Sequence, residues 1–357
     1  MNRLGIGVVG CGNIAPIYLK NLNSFDEAEV VAVADLIAER AESRSQEFGV
    51  ERIMTFEEML EEPSIEVILN ITRPESHYEI AKRALASGRH VYNEKSVAID
   101  VAEADELLQI ASEKGVRLGC APDTVLGAGI QTCRKLIDEG AIGEPFSAQA
   151  FMLGSGPESW HPDPEFFYKK GGGPLFDMGP YYISALVTLL GPVERVSGAA
   201  KRSFGSRTIT SEPKNGAVIE VEVPTHLVTV MEFAGGAVGQ LTTSFDVRHH
   251  TLPNIQIFGS EGTIQVPDPN TFGGPVLIRT KGDWEEVALT HPNPDNMRGL
   301  GLLDMVQAVN EGRAHRASGD LARHALAVFH ATHAAPLSGQ YVKIDRVERP
   351  AAMPALG

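Results

Sequence analysis

Basic residues are the first shortage in this chain. Lys and Arg number 31 against 46 Asp and Glu, which gives a formal charge of −15 at neutral pH. No clustered stretch of Lys or Arg reverses that sign locally, so the field repels phosphodiester backbones and argues against a nucleic-acid partner. Long apolar runs are missing too. The longest, such as Ile183 to Leu190, fall well short of the ~20 residues that cross a bilayer. The start MNRLGIGVVG passes directly into a strand pattern without signal-peptide anatomy. A soluble, cytoplasmic chain with no membrane partner is expected. Cysteine is scarce as well: Cys11, Cys120 and Cys133 are odd in number and lack CxxC spacing, which points to three buried thiols rather than disulfides or zinc.

What remains is an ordinary globular composition, 43% hydrophobic and 22% charged over 357 residues. At roughly 100 to 200 residues per domain that length suggests two domains. Up to about residue 122, apolar runs at Leu4 to Val9, Val30 to Ala34, Ile65 to Ile71, His90 to Tyr92 and Arg117 to Cys120 alternate with stretches of helical period. That alternation builds a doubly wound parallel sheet with helices on both faces. Thr55 with Glu58 and Asp100 with Glu103 have capping-box spacing, and Gly49, Gly88 and Gly115 each follow a helical stretch.

After Asp123 the rhythm changes. A helix through Gln131 to Glu139, a Gly- and Pro-rich loop and a helix through Leu175 to Leu190 are followed by strands at Val193 to Ala199, Ala217 to Val223, Leu227 to Phe233, Ala237 to Phe245 and Ile255 to Ser260. Successive strands without intervening helices imply a mainly antiparallel sheet. Helices near Gly301 to Asn310 and Leu321 to Thr332 and a strand at Tyr341 to Ile344 complete the pattern. The expected fold class is α/β, with a dinucleotide-binding domain over residues 1–122 and a second α/β domain over 123–357.

The first strand runs into Gly10-Cys11-Gly12-Asn13-Ile14-Ala15, the GxGxxA form of the dinucleotide fingerprint. Gly10 permits the tight turn, Gly12 lets a pyrophosphate approach the backbone, and Ala15 lets the helix lie close to the sheet. Asn13 and Ile14 belong to the same loop. Asp35 follows at the end of the second strand, where an acid hydrogen-bonds both ribose hydroxyls and repels a 2′-phosphate. NAD is therefore expected over NADP, although Arg40 leaves some room for the latter; as an alternative, Asp35 serves as a helix cap.

Two further features carry chemistry. Lys95 follows the strand His90 to Tyr92, at the carboxyl edge where open α/β sheets bind ligands, and an ammonium there can donate to a substrate hydroxyl. In Gly171-Gly172-Gly173-Pro174-Leu175-Phe176-Asp177-Met178-Gly179-Pro180-Tyr181-Tyr182, Asp177 and Tyr181 are four apart and share one helical face. Oxidising a secondary alcohol needs a group to take the hydroxyl proton as hydride leaves carbon, and a phenol near an ammonium can do so. The plain alternative is an N-terminal Asp favoured by the helix dipole, with tyrosines as core aromatics.

In order along the chain, GVVGCGNIA, Asp35, ITRPESH, ALASGRHVYNEKS, IDEGAIGEP, GGGPLFDMGPYY and GSEGTI resemble the glucose-fructose oxidoreductase and inositol dehydrogenase family, Gfo/Idh/MocA. The resemblance covers nearly the whole chain. It implies a Rossmann domain, then an α/β domain whose open sheet carries oligomer contacts, hence a homodimer or homotetramer. It also implies NAD(P)-dependent oxidation or reduction of sugars, inositols and related polyols. Lys95 corresponds to the family's EKP lysine and Asp177 to the first Asp of its DxGxHxxD motif. Thr72, Arg73, His77 and Glu94 lie where the family lines the nicotinamide.

The departures are specific. Tyr181 stands where many members carry His, so alkaline pH should favour activity unless Lys95 compensates; Tyr182 ranks behind it. Ser184 replaces the motif's final Asp. Ser96 replaces the EKP proline, and since a cis bond before a non-proline residue costs ~3 kcal/mol, a trans Lys95–Ser96 bond is expected. Asp123 and Thr124 are candidates to hold substrate hydroxyls, or else form a helix cap. Trp160 can stack on a sugar ring and His161 can donate to its hydroxyls, or the two pack on their own Pro-rich turn. Arg298 and Asp304 are candidates for substrate or interface contact. His249 and His250, adjacent on a strand, point to opposite faces, and His330 with His333 lack an evident third ligand, so no metal is expected. The expected activity is that of an NAD-dependent dehydrogenase of a sugar, glycoside or cyclic polyol. Its alternatives are a carbonyl or imine reductase, a dihydrodiol-type dehydrogenase, and a non-catalytic NAD-binding sensor.

Overall fold

A computed structural model describes residues 3–356, and the chain divides into two compact units. One comprises the chain up to Gly127 together with Asn293–Arg323; the other comprises Ala128–Pro292 and the chain from His324 onward. The sequence pattern places a single division after residue 122, whereas here the later part of the chain is shared between the units. The returning segment carries little pattern of its own beyond one amphipathic helix, so its allegiance is set by tertiary packing.

In the first unit the strands are β1 (Leu4–Val9), β2 (Ala28–Ala34), β3 (Arg52–Ile53), β4 (Val67–Asn70), β5 (His90–Asn93) and β6 (Leu118–Cys120). They alternate with helices α1 (Ala15–Leu22), α2 (Ala38–Phe48), α3 (Phe56–Glu61), α4 (Pro74–Ala86) and α5 (Val101–Lys114). The sheet is parallel throughout, in the order β3-β2-β1-β4-β5-β6. Every residue of β1 and β4 is buried, as the central strands of a sheet covered on both faces must be. Strand order reverses between β1 and β4, so their carboxyl ends mark the switch point where such sheets receive ligands. Capping boxes start α3 and α5, and left-handed Gly49 and Gly115 end α2 and α5.

The second unit holds α6 (Ala128–Asp138), β7 (Pro145–Leu153), α7 (Pro174–Leu190), β8 (Val193–Lys201), β9 (Ser206–Thr208), β10 (Val218–Glu220), β11 (His226–Phe233), β12 (Val238–Ser244), β13 (Ile255–Gly259), β14 (Thr263–Val266), β15 (Val276–Arg279) and β16 (Glu285–Val287). Then α8 (Leu300–Glu311) belongs to the first unit, α9 (Gly319–Ser338) begins there and continues into the second, and β17 (Val342–Lys343) closes the count. Nine strands form one sheet in the order β16-β15-β14-β13-β7-β12-β11-β8-β17, antiparallel except for the parallel β7–β12 pair. Its middle strand, β7, lies where the sequence suggests only a loop. The inward positions of β7 include Ala148 and Ala150, small residues that blunt the alternation a strand normally displays.

One face of this sheet buries Ala150, Met231, Leu241, Ile255 and Ile257, and α6 and α7 pack on the sheet. On the opposite face the pairings align Gln240 with Gln149, Gln149 with Gln256, and Gln256 with Gln265. The expected strand Ala217 to Val223 appears as β10, which pairs only with β9 in a separate small sheet. The two faces should respond differently to truncation: Ile257→Ala should lower unfolding stability by ~2–5 kcal/mol, against less than ~1 kcal/mol for the neighbouring Gln256→Ala, as read from urea denaturation midpoints.

Candidate active site

The glycine loop begins where β1 ends. Gly10 has φ of +103°, and a Cβ there would lie 2.8 Å from the Ile71 carbonyl oxygen, so a side chain would meet both strain and backbone. A Cβ at Gly12, by contrast, would meet nothing within 4 Å. That open space at the start of α1 is where a pyrophosphate would approach the backbone. Ala15 is fully buried, in keeping with close helix-to-sheet packing. Asn13 is exposed and Ile14 half-buried beside it.

Asp35 is fixed by two backbone amides: one oxygen accepts from Cys11 N–H at 2.7 Å and the other from Ile37 N–H at 2.8 Å. A carboxylate offers about four lone-pair directions, so acceptor capacity remains for a ribose diol. The donor set, the open face at Gly12 and the half-exposed Asp35 fit a dinucleotide. Burial and the neighbouring Asp35 raise the Cys11 thiol to about 11, which keeps it protonated.

At the carboxyl ends of β4 and β5 lies a buried hydrogen-bond knot. Asn70 Nδ2 donates to Asn93 Oδ1 at 3.0 Å, Thr72 Oγ1 donates to Asn70 Oδ1 at 2.7 Å, and Asn93 Nδ2 donates to the Val97 carbonyl at 3.2 Å. His77 has no solvent exposure. Its Nδ1 lies 2.6 Å from the Ser96 carbonyl and its Nε2 lies 3.1 Å from the Thr72 carbonyl. Burial pulls its pKa down, against the two carbonyl contacts, which push it up. His77 thus bridges the two loops from a fully buried position, where the resemblance expects a residue along the nicotinamide. Thr72 remains half-buried and Arg73 exposed at the start of α4.

The bond between Lys95 and Ser96 is cis, where the sequence favours trans. The carbonyls of Ser96 and Val97 meet His77 Nδ1 and Asn93 Nδ2. Glu94 accepts from the Tyr18 hydroxyl at 2.6 Å through one oxygen and from Lys95 N–H at 2.9 Å through the other. Tyr18 is fully buried, and burial together with Glu94 pushes its pKa well up, so it stays a donor. Sequence reasoning misses Tyr18, Asn70 and Asn93. A signal for the asparagines was present, because an Asn at the carboxyl end of each of two neighbouring buried strands needs partners.

Asp123 and Thr124 are both buried, and Asp123 forms the cap that the sequence offers as the alternative to a substrate contact. One Asp123 oxygen accepts from Gly299 N–H at 2.7 Å and from Gly301 N–H at 3.1 Å, capping the start of α8. Thr124 Oγ1 is enclosed without a hydrogen-bond partner among the described residues. Asp304 is buried between Arg313 and Arg316, a structural ion-pair cluster and not a substrate contact.

The second unit contributes α7. Gly173 precedes it with φ of +90°, Pro174 occupies its first turn, and Asp177 follows half-buried in that turn. Tyr181, 7% exposed, lies one turn further on the same face. Pro180 brings no N–H to the ladder, which leaves the Phe176 carbonyl without its usual helical donor. The Tyr182 hydroxyl is committed elsewhere, accepting from Asn254 Nδ2 at 2.9 Å and donating to the Phe151 carbonyl at 3.2 Å. Trp160 is 66% exposed and His161 half-buried, with their rings edge to face at 5.5 Å. His249 and His250 are exposed in a loop instead of on a strand. His333 Nδ1 contacts the Phe329 carbonyl at 2.8 Å, and no group of three potential metal ligands forms among the described residues.

Two family models match in succession. The model described as an oxidoreductase family with an NAD-binding Rossmann fold covers residues 4–121, and the GFO/IDH/MocA C-terminal domain covers residues 130–265. The chain belongs to the Gfo/Idh/MocA oxidoreductase family. It is 24% identical over 261 residues to the myo-inositol 2-dehydrogenase of Thermotoga maritima, covering 72% of this chain and 74% of that one. It is 25% identical over 354 residues to the 1,5-anhydro-D-fructose reductase of Ensifer adhaerens, covering 97% and 99%. Among solved structures, the aldose-aldose oxidoreductase of Caulobacter crescentus complexed with glycerol shares the fold with a TM-score of 0.79 at 22% identity, covering 96% of this chain and all of that one. The chain is thus an oxidoreductase with NAD as its cofactor.

Asp35→Ala should weaken NAD binding more than tenfold and narrow its advantage over NADP, measured by fluorescence titration with each nucleotide; equal loss for both would contradict the ribose assignment. Burial raises the Asp123 carboxyl to about 6 despite two amide donors, above the ~3.9 of an unfolded chain. Between those values the native state holds a proton the unfolded state has lost, so this contribution to stability is present at low pH and disappears as pH rises through 6. Relative to Asp123→Asn, the wild type should lose up to ~3 kcal/mol between pH 4 and pH 7 in urea denaturation.

Proposed function

We propose that the protein is an NAD-dependent dehydrogenase that oxidises a secondary hydroxyl of a sugar, glycoside or cyclic polyol. The observation that carries this reading is the pairing on α7 of a half-buried carboxylate with a nearly buried phenol one turn away, in a chain whose glycine loop and Asp35 fit NAD. Bound NAD supplies the hydride acceptor. Tyr181 takes the hydroxyl proton, Lys95 donates to the same oxygen and lowers the pKa of hydroxyl and phenol alike, and Asp177 orients substrate and tyrosine. The Glu94 carboxylate, held by Tyr18, fixes the Lys95 backbone amide from which the ammonium extends.

Several relatives are named as reductases, including the 1,5-anhydro-D-fructose reductase and the dTDP-3,4-didehydro-2,6-dideoxy-alpha-D-glucose 3-reductases. Those names support a second reading in which the same groups reduce a sugar carbonyl. Microscopic reversibility assigns Tyr181 as the proton donor in that direction. No helix among the described residues is long and apolar enough to cross a membrane, and we place the enzyme in the cytoplasm. The glutamine row on the nine-stranded sheet, with half-buried Phe151, Val228, Val230 and Phe258 beside it, supports a homodimer or homotetramer built on that face.

A panel of sugars, inositols and glycosides, followed by NADH absorbance, tests the activity. Tyr181→Phe should lower turnover by ~10² or more while NAD affinity stays within about twofold. A fully active variant would remove Tyr181 from the chemistry.

A further inference from the structure

Between β8 and β11 the chain leaves the large sheet to form the β9–β10 ribbon, and this excursion grips the loop that leads into α7. Glu158 is the centre of the grip. Its backbone carbonyl accepts from Thr210 N–H at 2.8 Å and Ser211 N–H at 3.0 Å, while Ser211 Oγ donates to the His161 carbonyl at 2.5 Å. Its side chain accepts from the Tyr168 hydroxyl and, at 2.8 Å, from Arg207 Nη1. Arg207 reaches further: Nη1 donates to the Ser155 carbonyl at 3.3 Å, and Nη2 donates to the Phe245 carbonyl at 2.8 Å and to Asp246. Asp246 in turn accepts from Thr225 Oγ1 at 2.7 Å. Arg207, Glu158 and Asp246 are all nearly buried. Lys214 closes the outer side on Asp163 and Glu165 at 2.6 and 2.7 Å.

Such a connected, largely desolvated network fixes a loop far better than a single exposed ion pair. Yet the side chain it holds out is an indole. Trp160 stands 66% exposed, braced edge to face by His161 and by Phe167 at 6.3 Å. The ring thus keeps a large apolar surface in water on a loop held by three ion pairs. From here the chain passes through Tyr168 and Gly173, whose N–H donates to the Phe167 carbonyl at 2.6 Å, directly into the helix carrying Asp177 and Tyr181.

We infer that Arg207 is a positioning residue that anchors Trp160 as a stacking platform for the C–H face of a pyranose ring. The inference rests on the dehydrogenase reading and narrows its substrate class, because an acyclic polyol presents no such flat apolar face. Stacking is made equally in the ground and transition states, so losing it appears in KM and not in kcat.

The test uses the full chain with NAD and a pyranose that the wild type oxidises. Arg207→Ala should raise KM for the sugar about tenfold, with kcat and the Kd for NAD within about twofold. Arg207→Lys, which keeps the charge but cannot span both carboxylates, should recover part of the loss. Trp160→Ala should reproduce the effect, and the Trp160→Ala, Arg207→Ala double variant should be no worse than Trp160→Ala alone. In a Trp284→Phe background, where Trp160 is the only tryptophan, Arg207→Ala should increase acrylamide quenching of fluorescence, and saturating sugar should decrease quenching only when Arg207 is intact. An unchanged KM, additive losses in the double variant, or quenching indifferent to Arg207 would each overturn the inference. If Arg207→Ala fails to fold, the KM of the lysine variant and the protection of Trp160 from quenching by sugar decide the matter in its place. A wild type that oxidises no sugar contradicts the dehydrogenase reading before any variant is made, whereas an unmoved KM in Arg207→Ala contradicts this inference alone.

Discussion

The desolvation of polar groups at the carboxyl ends of β4 and β5 is the constraint from which the arrangement of that edge of the first unit follows. Asn70, His77 and Asn93 have no measurable exposure, and each would cost several kcal/mol if left unpaired there. They are paired with one another and with the carbonyls of the two loops that leave those strands. The loops are therefore held by the same contacts that satisfy the buried groups. Thr72 is placed through Asn70, Ser96 through His77, and Lys95 through the carboxylate of Glu94, which Tyr18 steadies from α1.

In the second unit the equivalent constraint is ionic. A nearly desolvated guanidinium needs acceptors, and the two Nη atoms of Arg207 find them on Glu158, Asp246 and two carbonyls, while its Nε is enclosed without a partner among the described residues. Satisfying it draws together the 157–168 loop, the β9–β10 ribbon and the turn after β12. The start of α7 inherits its place from the end of that loop. In both units buried polar groups organise irregular chain, the loops after β4 and β5 in the first and the segments around Arg207 in the second.

Much of this was legible in the residues. The alternation of strand and helix up to residue 122, the glycine fingerprint with Asp35, and the four-residue spacing of Asp177 and Tyr181 each follow from local periodicity or turn chemistry. Local rules fail where partners are distant in sequence. β7 is central to its sheet, but its inward alanines do not advertise a strand. For Asp123 the sequence leaves substrate contact and helix cap open, and the amides that one of its oxygens caps, those of Gly299 and Gly301, lie 176 and 178 positions away. The cis bond before Ser96 departs from the dipeptide preference. Tyr18 reads as an ordinary helix aromatic until Glu94 appears against its hydroxyl.

The proposed reaction requires that the Lys95 ammonium and the Tyr181 phenol serve one substrate oxygen. A crystal structure of the enzyme with NADH and an oxidisable sugar measures this directly. Lys95 Nζ and Tyr181 Oη are each expected within about 3.2 Å of the same substrate hydroxyl. A sugar hydroxyl facing the nicotinamide with either group beyond the reach of a hydrogen bond or a single bridging water would contradict that requirement.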